Sequence, residues 1–462
     1  MASAVGKKAL LLGAGFVSKP AVQALSEAGV KVTVACRTLK AAQELAANYD
    51  NTTAIALDAA NQPNELGEAV AETDVVISLI PYVYHATVVA AAIKHRKPVV
   101  TTSYISPALW ELDGQAKSAG ITVLNEIGLD PGIDHLYAVK TIDELHQAGG
   151  RIKGFTSYCG ALPAPEDSAN PLGYKFSWSP RGGLLALLNS AKWYRDNAIV
   201  AVDGKDLMAA ALPQDIFPGF HLVGYPNRDS VCFRDFYQIP EAGTVFRGTL
   251  RYAGFPEIIR SLVAIGYFSQ EESPLLKLEE ISWNQLTASL TGLERSATRE
   301  EVEKAVRRTV ARELDHAEPN VIDRVISGLR WIGLFDCRQV DSRGTPLDTL
   351  CAVLESRMAY EPGERDLIVL QHVFDIQHVD GSTEKRSSTL VEYGEPLGPG
   401  YRSAMAKLVG LPCAVGVLAV LEGRISTPGM LAPWSTAAIA KLLRDELCEK
   451  FGIELRERVI EP

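Results

Sequence analysis

Apolar and polar positions in the first 130 residues repeat one unit. An apolar run at 9–12 leads into Gly13-Ala14-Gly15-Phe16-Val17-Ser18. Helical spacing follows through Pro20, Ala21, Val22, Leu25 and Ala28. Further strands are predicted at 30–36, 53–57, 75–80, 98–102 and 121–125, with helices at 41–49, after 58, at 86–95 and at 108–119. A strand apolar at nearly every position, such as Val75-Val76-Ile77-Ser78-Leu79-Ile80, is buried on both faces. Strands alternating with helices in this way predict an α/β domain with a doubly wound parallel sheet. The strands end in short polar or Gly/Pro turns, including Pro81-Tyr82, Ser103-Tyr104 and Gly128-Leu129-Asp130-Pro131-Gly132. That edge is where such sheets bind ligands.

From residue 151 the pattern changes. Residues 152–159 read as a strand, and 162–181 as a long Pro-rich loop containing Asn170-Pro171-Leu172-Gly173-Tyr174-Lys175-Phe176-Ser177-Trp178, whose aromatics argue against disorder. Residues 182–193 are predicted helical. Residues 218–228 hold the loop Tyr225-Pro226-Asn227-Arg228-Asp229. Residues 244–252 alternate, with Arg247, Thr249 and Arg251 on one face and Phe246, Gly248 and Leu250 on the other. Residues 256–335 are mainly helical and highly charged, with a capping box at Thr298 and Glu301. A helix at 345–360 precedes strands at 367–374 and 389–392, separated by the hairpin-like Asp380-Gly381-Ser382. After a break at 393–400 come a small-residue helix at 403–408 and an apolar segment at 412–421, too short to span a membrane. That segment is expected to return to the first domain as a helix, and a charged helix at 434–451 to pack there too.

At 462 residues the chain is too long for one core, so two or three domains are expected. The net charge of −10 and the lack of a long basic run exclude nucleic acid as a natural partner. The seven cysteines are scattered without a CxxC pair, which points to reduced thiols in the cytoplasm. No apolar run approaches the ~20 residues of a membrane span. The histidines, His316 among them, show no HxH or HxxxH spacing, so no metal site is expected.

The Gly-rich turn opening a helix is the geometry that receives a pyrophosphate on unpaired N–H groups and the positive helix end. Gly13 makes the tight turn, and Gly15 lets the backbone approach the phosphates. Ser18 replaces the usual third glycine. Where an NAD site carries an acidic residue after the second strand, this chain has Cys36-Arg37-Thr38. Arg37 suits a 2′-phosphate, so the cofactor read is NADP(H). Arg228 and the segment Thr249-Leu250-Arg251 offer guanidinium forks for a substrate with more than one carboxylate. Asp130 is a candidate to anchor an ammonium group or act as acid/base, and Tyr104 to donate a proton. His135 reads as a packing or capping histidine.

With these residues collected, the chain resembles the saccharopine dehydrogenases of the NADP-dependent, glutamate-forming type, the saccharopine reductases of fungal lysine synthesis. The resembling stretches include GAGFVSKPAV, KVTVACRTL, DVVISLIPYVYHATV, VVTTSYISPA, NEIGLDPGIDHLYA, LPAPEDSANPLGYKFSWSPRG, YPNRDS, RGTLRY and SAMAKLVGLPCA. The resemblance implies three units: an NADP-binding Rossmann domain (1–131 with 391–462), a mixed-sheet substrate-binding and dimerisation domain (132–255 with 347–390), and a small helical domain (256–346). It implies that Ala14, Gly15, Phe16, Val17, Cys36, Arg37, Thr38, Asp58, Ile80, Thr102, Ser103, Leu129, Asp130, Pro131 and Ser177 line NADP. Ser103, Tyr104, Asp130, Arg228, Thr249, Leu250 and Arg251 would hold saccharopine, which carries three carboxylates. The implied reaction condenses L-glutamate with L-2-aminoadipate 6-semialdehyde and reduces the imine with NADPH, the penultimate step of lysine biosynthesis. Asp130 or Tyr104 is the candidate proton donor, and a substrate-bound water is the alternative. A cytoplasmic homodimer acting on small molecules, with neither membrane nor nucleic acid as partner, is expected. Two other readings are another NADP-dependent imine reductase on this scaffold, of the lysine-forming or carboxynorspermidine type, and a non-catalytic NADP-sensing protein.

Overall fold

The computed structural model describes residues 3–461 except 178–179, 218, 278–279, 316 and 399, so Trp178 and His316 lie outside the described residues. The first sheet contains β1 (Lys8–Leu12), β2 (Lys31–Cys36), β3 (Thr52–Ala56), β4 (Val75–Ser78), β5 (Val99–Thr101) and β6 (Thr122–Leu124). They pair in parallel in the order β6-β5-β4-β1-β2-β3, the doubly wound arrangement expected. A short strand far along the chain, Gly429–Leu431, adds beside β6 without any strong apolar run to announce it. Alternate residues of β1 enter two different cores. Ala9 and Leu11 face helices Ser18–Glu27 and Ala404–Leu421, whereas Leu10 and Leu12 face helices Pro63–Ala71 and His85–His95. This is why the strand is apolar at every interior position.

The order of strands reverses between β1 and β4, and the Gly-rich turn sits at that switch point. Gly13 has φ +111°, and a Cβ there would lie 2.7 Å from the Leu79 carbonyl oxygen, so only glycine fits. Ser18 is fully buried, and its hydroxyl donates to the Gly13 carbonyl at 3.1 Å, tying the turn to its helix. The segments expected at 403–408 and 412–421 form one helix, Ala404–Leu421, with Pro412 inside it. Proline removes one hydrogen bond there, but burial on most sides holds the helix together. Its 18 residues have the length and apolarity of a membrane span, yet most of it is buried within the fold. It lies directly on helix Ser18–Glu27. A Cβ on Gly410 would come within 2.8 Å of the Val17 carbonyl oxygen and 3.0 Å of the Ala21 nitrogen. The close approach behind the dinucleotide turn is therefore secured by a glycine nearly 400 positions away in sequence.

Helix Ile133–Gln147 carries the chain from the first sheet onto the face of a second, mixed sheet. There Thr244–Tyr252 runs parallel to Arg151–Pro163. Asp366–Gln377 pairs antiparallel with Arg151–Pro163, and Thr383–Tyr393 with Asp366–Gln377. Leu212–Gln214 and Leu222–Pro226 extend one edge, and Arg456–Glu461 the other. The boundary drawn at 390/391 thus cuts a continuous strand, and the final strand belongs to the second sheet although helix Ala437–Phe451 before it packs on the first domain. The helix expected over 182–193 ends at Ala186. Ala191–Arg195 is instead a strand paired with Ala198–Val202, because Trp193 packs edge-on against Phe246, 5.5 Å between ring centroids. The helix at 108–119 breaks into Pro107–Trp110 and Asp113–Ala119, and the helix at 434–451 begins as the short turn Pro433–Ser435. The charged segment from 255 packs as a helical unit. Its helix Arg299–Glu313 opens with the predicted capping box, Thr298 Oγ1 accepting from the Glu301 nitrogen and Glu301 Oε2 accepting from the Thr298 nitrogen.

The Gly410 contact can be tested. Gly410→Val overpacks the two helices, and urea unfolding is expected to show a loss of about 1–3 kcal/mol. An unchanged midpoint would mean that the helices separate freely.

Candidate functional site

The expected cofactor residues gather along the carboxyl edge of the first sheet. Ala14, Gly15, Phe16 and Val17 form the turn after β1, and Cys36, Arg37 and Thr38 follow β2. Asp58 follows β3, Ile80 follows β4, and Thr102 and Ser103 follow β5. Leu129, Asp130 and Pro131 occupy the loop after β6. A dinucleotide phosphate fits here. A Cβ on Gly15 would meet nothing within 4 Å, so the turn can approach a phosphate closely, and Val17, at the helix N-cap, offers no capping side chain to compete with a ligand. Arg37 and Thr38 are exposed at the end of β2. Asp58 accepts from Asn61 Nδ2 at 2.9 Å and from the Ala60 nitrogen at 3.0 Å. These bonds, with the Arg37 charge nearby, lower its pKa, so it faces the Arg37 region as an anion. Ser177 comes from the other side. It lines a cleft of about 440 Å³ with Phe16, Lys19, Tyr360 and Tyr401, between the Gly-rich turn and the second half of the chain.

The second cluster joins residues from three segments. Tyr104, after β5, donates its hydroxyl to Asp130 Oδ1 at 2.6 Å. Arg247, buried in the second sheet, donates Nη2 to Tyr104 Oη at 2.7 Å, to Asp134 Oδ2 at 2.7 Å and to Asp130. Its guanidinium also stacks over Phe233, 4.3 Å from the ring centroid. Burial alone would lower the Arg247 pKa. The facing Tyr104, Asp130, Asp134 and Tyr237 outweigh that and raise it. Burial pushes the Tyr104 hydroxyl well above the usual phenol range, as it does the Cys159 thiol beneath the cluster. Tyr104 therefore keeps its proton, and that proton points at Asp130.

Behind this cluster, His135 Nδ1 lies 2.7 Å from Tyr237 Oη and its Nε2 lies 2.9 Å from Glu126 Oε2. Burial would raise the Glu126 pKa, but bonds from His135, the Ile105 nitrogen and Trp434 Nε1 lower it. His135 is fully buried and stacked on Phe233.

The expected substrate residues divide. Arg228 lies over the ring of Tyr104, the residue that bonds Asp130, 5.6 Å from its centroid. Arg251 sits further along the strand that carries Arg247, four residues and therefore roughly 13 Å away. It is buried among Tyr174, Tyr225 and Phe255, with Nη1 donating to the Leu250 carbonyl. Among the described residues neither Arg228 nor Arg251 pairs with a carboxylate, whereas Arg247 pairs with both Asp130 and Asp134. Thr249 shares the Arg251 face. The Leu250 side chain turns the other way, into a separate core with Leu162, Leu222 and Leu367, so only its backbone is left for a ligand on this face.

Arg247 is the residue that motif reading passed over. The alternation of 244–252 had already put it on the Arg251 face. What was missing was its partners, which lie more than 110 positions away. Among the described residues no group of three His, Cys, Asp or Glu is placed to hold a metal.

Comparison with known proteins agrees with this architecture. The saccharopine dehydrogenase NADP binding domain family matches residues 9–124, and the saccharopine dehydrogenase C-terminal domain family matches residues 128–453. The chain is 53% identical over 454 residues to a saccharopine dehydrogenase (NADP(+), L-glutamate-forming) of Pyricularia oryzae, covering 98% of this chain and 99% of that protein. It is 50% identical over 457 residues to the enzyme of the same name from Saccharomyces cerevisiae, covering 99% and 100%. The apo structure of the L-Glu-forming saccharopine dehydrogenase from Saccharomyces cerevisiae superimposes with a TM-score of 0.88, at 50% identity over 99% of this chain and all of that one. Two domain matches meeting at the loop after β6, and full-length identity of this degree, lead to one conclusion: the chain belongs to the saccharopine dehydrogenase family.

Proposed function

We propose that this chain is an NADP(H)-dependent oxidoreductase that condenses L-glutamate with L-2-aminoadipate 6-semialdehyde and reduces the imine to saccharopine, reversibly, as the penultimate step of lysine biosynthesis. Its full-length similarity to enzymes of that name supports the reading. The structural observation that carries it is the spacing of Arg228 and Arg251, guanidinium groups without carboxylate partners among the described residues, around the Tyr104–Asp130 pair at the carboxyl edge of the dinucleotide sheet. Such a row suits a long ligand with carboxylates at its ends.

In this reading the turn Ala14-Gly15-Phe16-Val17 holds the pyrophosphate, and Cys36, Arg37, Thr38 and Asp58 hold the adenosine end. Ile80, Thr102, Ser103, Leu129, Asp130, Pro131 and Ser177 line the remainder. The bound cofactor supplies the hydride. The chain's own residues do the positioning: Arg228 and Arg251 hold carboxylates, with Thr249 and the Leu250 backbone beside them, while Ser103, Tyr104 and Asp130 face the nitrogen. The glutamate nitrogen attacks the aldehyde carbon, water leaves, the carbon takes a hydride and the nitrogen a proton. Asp130 and Tyr104 are the proton-handling pair. Holding the two substrates in line contributes most of the rate. We further read the protein as a cytoplasmic homodimer without membrane or nucleic-acid partners; its free cysteines support the cytoplasmic part of that reading and its net charge of −10 the absence of nucleic acid.

Absorbance of NADPH gives the direct test. Turnover is expected with glutamate plus the semialdehyde, and in reverse with saccharopine and NADP in preference to NAD. Absence of turnover in both directions would remove the substrate assignment. Arg251→Ala is expected to raise the saccharopine KM about 10- to 100-fold, the loss of a charge-assisted contact, with NADPH affinity unchanged. A KM at the wild-type value would take Arg251 out of the site. Arg37→Ala is expected to weaken NADPH about 10-fold or more in a fluorescence titration while leaving NADH nearly unaffected. Equal losses for both cofactors would mean that Arg37 does not read the 2′-phosphate.

A further inference from the structure

His85 is a buried titratable side chain at the edge of the site that the mechanism above leaves unused. His85 opens helix His85–His95 and is 1% exposed. Its Nδ1 lies 2.8 Å from Ser78 Oγ, at the end of β4. Its Nε2 lies 2.9 Å from Ser103 Oγ and 3.2 Å from Thr101 Oγ1, at the end of β5. Thr101 Oγ1 also accepts from the Ser103 nitrogen at 3.3 Å. Burial lowers the His85 pKa to about 4, so the ring is neutral in the working range. A neutral imidazole has one donor and one acceptor nitrogen, and here both are engaged by hydroxyls. Ser78 and Thr101 are themselves buried, so the ring cannot swing. Ser103 alone of the three hydroxyls is only half-buried, on the ligand side.

We infer that His85 is a positioning residue that fixes the Ser103 hydroxyl for the ligand. The inference rests on the proposed function for the identity of that ligand. A free serine samples three staggered χ1 wells. The bond from Nε2 selects one of them, whichever ring nitrogen carries the proton, and leaves the remaining hydrogen-bonding capacity of the hydroxyl directed outward. The ring in turn is held by Ser78, so three strand-end hydroxyls and one imidazole form a brace across β4 and β5.

A double-mutant cycle tests this, with wild-type saccharopine turnover measured first so that failure of the functional reading is seen separately. His85→Asn keeps a polar atom near the Nδ1 position but loses the reach to Ser103. His85→Gln keeps an amide near the Nε2 position. H85N and Ser103→Ala are each expected to raise the saccharopine KM about 10-fold, consistent with losing one hydrogen bond. The H85N/S103A double variant should be no worse than S103A alone. H85Q should recover most of the wild-type KM. NADPH affinity, read by fluorescence, should fall in step for H85N and S103A and be additive in neither. Should H85N fail to fold, Ser78→Ala with S103A reads the same coupling through the other side of the ring. Additive losses in the cycle, or H85Q as damaging as H85N, would reduce His85 to a packing residue and overturn the inference.

Discussion

The guanidinium of Arg247 is the point on which the two halves of this molecule depend. It bonds Tyr104 from the first sheet, and Asp130 and Asp134 from the loop and helix that lead to the second sheet, which itself carries the arginine. Arg247 and Asp134 are almost fully buried and Asp130 nearly so. Placing a cation there costs desolvation energy, and the charge-assisted bonds with the Phe233 face offset it. Removing one partner from such a cluster typically costs about 3–5 kcal/mol, because the remaining charge is left buried and unpaired.

That constraint organises the site. Arg247 pairs with Asp130 and Asp134, whereas Arg228 and Arg251 have no carboxylate partner among the described residues, which is why the proposed function assigns them the substrate carboxylates. Around it a second ring of contacts ties the loop after β6 to the carboxyl-terminal segment. Glu126 accepts from the Ile105 nitrogen and Trp434 Nε1, and Trp434 stacks on Phe236 with centroids 4.0 Å apart. These contacts join the loop after β6, the start of helix Ile133–Gln147 and the returning carboxyl-terminal segment. Beside the Gly-rich turn lies the cleft lined by Phe16, Lys19, Ser177, Tyr360 and Tyr401.

Much of the first domain was legible because strand and helix periods are local. The apolar runs of β1, β2 and β4, the Gly-rich turn, and the arginine after β2 are contiguous in sequence and need no partner to be recognised. The errors fell where a distant partner decides. Residues 187–193 read as part of a helix, yet Trp193 is drawn into a strand against Phe246. Gly429–Leu431 is too short to register and becomes a strand only because β6 offers an open edge. The segments at 403–408 and 412–421 read as separate, and burial carried one helix through Pro412.

The sequence alone determined the doubly wound domain, the dinucleotide turn with its NADP preference, and two arginine-bearing segments suited to carboxylates. It also placed Arg247 on the right face of its strand. Only the tertiary structure decided that Arg247 is spent on Asp130, Asp134 and Tyr104, that the Leu250 side chain faces away, and that Gly410 supplies the close packing behind the turn. The physical reason is one of range. Backbone hydrogen bonding and side-chain alternation repeat every two to four residues and leave a periodic trace. A buried charge cluster is selected by the cost of leaving a charge unpaired, and that cost is set by whichever residues the fold brings together, however far apart they stand in the chain.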